Sequence, residues 1–161
     1  MSAVSETLPN RSSKALQTIL LAGLVAGTLD MTAACVFAYL RAGVTPARVM
    51  RYIASGLLGA QALTGGAPLA VLGTLLHYII ATTWAAVFYV ASRRLRFLTD
   101  NPVPAGLLYA VFVYLVMNFV VVPLSQVAKR SVPLSSHVIG CLILIFCIGL
   151  PIAFIVRRAP R

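Results

Sequence analysis

Few side chains in this sequence could do chemistry, and they sit where charge and polarity are costly. Of the three acidic residues in 161, Asp30 stands inside an apolar stretch, TLDMTAACVF. The two histidines, His77 and His137, and the amide Asn118, with Tyr114 one turn before it, are also set among apolar neighbours. A central Asp disfavours insertion of a membrane helix by about 2.5 to 3.5 kcal/mol, so it calls for a partner or an aqueous cavity. An Asp beside a His can share a proton across neutral pH, which is the chemistry of proton relays and coupled transporters. The same pair can instead hold helices together, since interhelical hydrogen bonds in membranes average about 0.6 kcal/mol. Both readings stand at the level of sequence.

Spacing indicates which of these groups could meet. Gly23, Gly27, Asp30 and Ala34 share one helical face, and that face carries a GxxxG pattern of the kind that lets helices approach closely. His77 lies on a second small-residue face with Ala70, Gly73 and Ala81. At 1.5 Å per residue, Asp30 and His77 fall roughly 15 Å and 12 Å below the outer ends of their helices, and Asn118 and His137 roughly 6 Å and 5 Å. A polar cluster of Asp30, His77, Asn118, His137 and Tyr114 in the outer half of the membrane is therefore expected. No cofactor is expected. Haem held by His77 and His137 is the alternative, weakened by their unequal depths. Without HExxH, CxxC or a compact carboxylate cluster, no metal site and no catalytic residue are assigned.

These residues must be positioned by lipid-embedded helices. The chain is 60% hydrophobic and 10% charged, with a mean hydropathy of +0.96, whereas soluble domains carry about 25% charged residues. Its length accommodates four spans of about 20 residues each. Apolar runs and their Pro and Gly punctuation predict an all-α membrane protein, a four-transmembrane-helix bundle with spans at 16–40, 69–91, 105–122 and 134–156. Residues 1–14 read as a disordered cytoplasmic tail and 15–161 as a single transmembrane domain. Between the first two spans, Thr45 and Pro46 are N-terminal helix signals. The segment 46–60 places Val49, Ile53, Leu57 and Ala60 on one face and Arg48, Arg51 and Ser55 on the other. That pattern suits an interfacial helix, with a re-entrant helix or a fifth span as alternatives. Pro123 is expected to close the third span.

The net charge of +10 does not point to nucleic acid, because the basic residues punctuate apolar runs instead of forming a patch. Arg93, Arg94, Arg96, Arg157 and Arg158 read as membrane-surface anchors. Eight basic residues fall on the side of the termini against five on the other, so both termini are expected to be cytoplasmic. Lys129 and Arg130, between two VPLS motifs, could meet anionic lipid. A faint repeat links Ala22-Gly-Leu to Ala105-Gly-Leu, and FYVASRR from Phe88 to FIVRR from Phe154, as a duplicated hairpin would.

AGLVAGTLDMTAA, IASGLLG, GTLLHY and VYLVMNFVVVPLS together resemble a family of small uncharacterised bacterial inner-membrane proteins, akin to the YagU-like group. The resemblance implies a whole-chain, single-domain membrane protein and carries no activity with it. From the residues themselves, a transport or small-ligand-binding protein, or a component of one, is expected. The alternative is a structural or assembly subunit without chemistry of its own, and the small-residue seams also admit a homo-oligomer or a membrane-complex partner. A membrane enzyme would need a reactive group that is not found.

Overall fold

The computed structural model describes residues 11–128 and 133–159. Lys129 and Arg130 fall outside the described residues, as do 1–10 of the expected tail. Helix α1 (Arg11–Ala42) is followed by α2 (Pro46–Leu58), a single turn α3 (Gln61–Thr64), α4 (Ala67–Arg94) and another short turn, α5 (Phe97–Asp100). The third span is α6 (Pro102–Val116), a π-helical turn (Met117–Val121) and α7 (Val122–Leu124). The fourth is α8 (Leu134–Leu144), a second π-helical turn (Ile145–Gly149) and α9 (Leu150–Arg157). Four of these helical runs are long and apolar enough to cross a membrane, and the chain is a multi-pass, four-helix membrane bundle.

The helices start on the signals that the sequence carries. Pro occupies the first turn of α2, α4 and α6, where its missing N–H has no intrahelical partner to lose. Helix α1 begins at Arg11, inside the stretch expected to be a disordered tail. Extending an existing helix adds one hydrogen bond per residue, whereas starting one fixes several residues for a single bond. The helix therefore runs on past the apolar segment.

Pro123 does not end the third span, which continues to Leu124. In the π-helical turn before it, the Val122 N–H reaches back to the Met117 carbonyl. The fourth span repeats the device, with the Leu150 N–H on the Ile145 carbonyl just ahead of Pro151. One extra residue per turn widens the helix where a proline ring would otherwise strike the preceding turn.

Packing is inside-out relative to a soluble protein. Large apolar side chains such as Leu20, Leu24, Val71, Leu75, Leu108, Phe119, Leu142 and Phe146 are exposed, as lipid-facing residues are, and the interior mixes many alanines with a few large side chains such as Phe88 and Ile152. A Cβ on Gly23 would press on the Thr82 backbone, so α1 and α4 cross closely there, and Gly27 meets Tyr78 and Ala81 of the same helix. Gly106 and Gly149 make the matching contact between the third and fourth spans. Gly23 and Gly106 are the glycines of the repeated AGL, and each sits at a close helix crossing.

The buried core gathers Ala22, Ala26, Ala85, Phe88, Ala105, Tyr109, Ile152 and Val156, toward the end of the bundle that holds both termini. Tyr109 ties the third span to the second by donating its hydroxyl to the Trp84 carbonyl at 2.5 Å. The basic anchors stand at that same end. Arg93 and Arg94 close α4, Arg96 follows it, and Arg157 and Arg158 end α9, all of them exposed. The Arg93 guanidinium lies 5.3 Å from the centroid of the Tyr89 ring.

Helix α2 has 13 residues, about 20 Å, too short for a hydrocarbon core of about 30 Å. Its buried side is the one that meets α4. Ala54 and Ser55 are buried while Leu57 is 56% exposed, because α2 packs against α4. At the crossing, a Cβ on Gly73 would overlap the Met50 carbonyl. Ser55, expected on the polar face, donates its hydroxyl to the Tyr52 carbonyl of its own helix at 2.6 Å. Gly59, at φ 74° and ψ −164°, ends the helix in a conformation essentially confined to glycine. Arg51 donates to the Gly65 carbonyl, and Gln126 from the end of the third span holds the C-terminal turn through the Gly56 and Leu57 carbonyls, each at 2.9 Å.

Candidate functional site

Along every span, core positions give way to a cavity on moving away from the termini. On α1 the sequence of inward residues is Ala22, Ala26, Asp30; on α4, read backward, it is Phe88, Ala85, Ala81, His77. The third span contributes Tyr109, Val113, Met117 and the fourth Ile152, Ile148, Leu144. These are steps of three and four residues, one helical face. The cavity where the outer members meet has a volume of about 130 Å³, and Ile53 of α2 with Ile80 and Trp84 of α4 complete its wall.

Asp30 and His77 thus share one cavity, as their spacing implies, but they do not bond directly. The Nε2 of His77 lies 2.8 Å from the Gly27 carbonyl on α1. A carbonyl only accepts, so Nε2 is the donor in this bond and Nδ1 is the nitrogen left outside it. Among the described residues Asp30 has no hydrogen bond or ion pair, although His77 and Cys147 lie near enough to interact with it electrostatically. The carboxylate and the imidazole are therefore both available to an occupant of the cavity.

The remaining predicted residues form a separate group. The hydroxyl of Tyr114 and Nδ1 of His137 are 2.6 Å apart, linking the third span to the fourth. Asn118 donates Nδ2 to the Tyr114 carbonyl one turn back, at 2.9 Å. None of these three lines the cavity. The structure accordingly sorts the expected five-residue cluster into an Asp30–His77 cavity and a Tyr114–His137 interhelical bond. The two imidazoles that would ligate haem are engaged by different partners, and among the described residues no group of three or more His, Cys, Asp or Glu side chains is placed to hold a metal.

Comparison with known proteins finds no matching family model, no matching curated protein and no matching solved structure. The geometry alone carries the functional reading.

Sequence reasoning missed the apolar wall. Trp84 and Ile53 carry no motif, and their place in the cavity depends on how α2 folds back on α4. The two π-helical turns had a legible signal in Pro123 and Pro151, each preceded by an uninterrupted helical pattern. Met117 opens the first of these turns and Ile148 lies in the second, so both border the cavity. Such turns recur at functional sites, where they displace side chains from regular helical register.

Proposed function

We propose that this chain is a small membrane-embedded binding or transport protein whose site is the Asp30–His77 cavity. The observation that carries the reading is the meeting of the one acid within the spans and a histidine on a single apolar-walled cavity, with the carboxylate uncommitted to any described residue. A cavity of about 130 Å³ is small beside the roughly 300 to 1,000 Å³ of common ligand pockets. It suits a proton with its hydrating waters, or a small cation, and not a large solute. In this reading Asp30 binds the positive charge. His77, fixed through Nε2 to α1, accepts or releases a proton at Nδ1, and α2 covers the site from the end opposite the termini. We place the protein in a bacterial inner membrane with both termini cytoplasmic and affiliate it with the YagU-like proteins.

Purified protein in liposomes carrying a trapped pH dye and an imposed pH gradient tests the reading. Wild-type vesicles are expected to dissipate the gradient faster than empty ones, and Asp30→Asn vesicles at the empty rate. Equal rates for wild type and Asp30→Asn would remove Asp30 from any proton path. A structural or assembly subunit is the second reading, favoured by the His77–Gly27 bond between the first two spans. It expects His77→Leu to loosen the bundle and Asp30→Asn to leave all fluxes unchanged.

A further inference from the structure

At the end of the bundle that holds both termini, a groove of about 500 Å³ runs between the start of α1 and the end of α9. Its rim is polar, with Lys14, Gln17 and Arg158, and its floor is apolar, with Leu21 and Ile155. Lys14 and Leu21 are separated by about 10 Å of helix at 1.5 Å per residue, so the polar and apolar parts are stacked along the membrane normal. Among the described residues no acidic side chain lines the groove, and none falls in the first turn of α1. The positive end of that helix dipole therefore adds to the two basic side chains.

We infer that this groove binds one anionic phospholipid. Its phosphate is held between Lys14 and Arg158, Gln17 offers hydrogen bonds to the headgroup, and the upper part of an acyl chain lies against Leu21 and Ile155. Charge complementarity selects the headgroup, and the stacking of rim over floor selects a lipid over a free anion, which would have no use for the apolar floor. Such a lipid would bridge the first and last helices of the bundle. The inference is independent of the Asp30–His77 cavity, which lies further along the spans.

Native mass spectrometry of the full chain in mild detergent, titrated with phosphatidylglycerol or phosphatidylcholine of identical acyl chains, tests it. The first phosphatidylglycerol is expected to bind about 30-fold more tightly than phosphatidylcholine, the combined effect of two basic side chains at a membrane surface. The double substitution Lys14→Gln and Arg158→Gln should remove that preference, and Arg94→Gln with Arg96→Gln, at the same end of the bundle, should retain it. Equal binding of the two lipids by wild type would overturn the inference, as would a preference that survives loss of Lys14 and Arg158. A competition on unmodified protein serves even if a variant misfolds. Chain-free glycerophosphoglycerol that displaced the lipid at equal concentration would show a site for free anions, and failure to displace it is the expected result.

Discussion

Replacing Asp30 by Asn separates the two readings of the cavity most cleanly, because the change keeps shape and removes charge. Among the described residues Asp30 has no hydrogen bond or ion pair to lose. In the reference state, with helices inserted but not packed, the side chain also sits in lipid, so the general cost of a membrane-buried acid largely cancels. The expected change in bundle stability is therefore within about 0.6 kcal/mol, the average of one interhelical hydrogen bond. His77→Leu provides the contrast, since it removes the bond to the Gly27 carbonyl and should destabilise by about 0.6 and at most about 1.7 kcal/mol. Reversible unfolding in mixed dodecyl maltoside and dodecyl sulfate micelles, followed by circular dichroism and tryptophan fluorescence, measures both. Trp84 reports directly, as it lines the cavity. Loss of more than about 2 kcal/mol in Asp30→Asn, above the largest single interhelical bond measured in membranes, would show that the carboxylate is a packing element and refute its availability to a ligand.

Three further substitutions test the frame around the site. Gly73→Ala places a methyl group against the Met50 carbonyl and should cost about 1 to 3 kcal/mol as an overpacked contact, with α2 released from α4 and Ile53→Cys labelled faster by an aqueous thiol reagent. Gly59→Ala puts a side chain at φ 74° and ψ −164° and should cost about 1 to 3 kcal/mol in the same unfolding assay. Tyr109→Phe removes the 2.5 Å bond to the Trp84 carbonyl while keeping the ring, and should destabilise by about 0.6 to 1.7 kcal/mol with little change in fluorescence maximum.

Hydropathy made the four spans legible because lipid demands long, uninterrupted helices, and each observed span includes the expected one and extends it by at most four residues at either end. The faces were legible where glycine forces close approach, as at Gly23 and Gly27. What lay beyond the sequence was the fate of each polar group. His77 could satisfy itself on Asp30 or on any nearby backbone carbonyl, and spacing along one helix does not say which neighbour presents one. Asn118 had the same freedom and took the carbonyl one turn back on its own helix. The side of α2 that meets α4 was hidden for a related reason. Small residues such as Ala54 score weakly as hydrophobic, yet they decide where two helices can touch, so the buried face followed size and not hydropathy.

The internal repeat bears on why an acid stands at position 30. Its counterpart, 83 residues on by the AGL register, is Val113, and both residues line the cavity. Val113 is only 2% exposed and belongs to the buried core, so the frame accepts an apolar side chain at this position without loss of packing. A carboxylate there adds nothing that the helix crossing needs and costs about 2.5 to 3.5 kcal/mol on insertion. The two halves thus share the close glycine crossing and differ at the one position where charge enters the membrane. Under the proposed binding function, that difference is the charge which a site for a proton or a small cation requires.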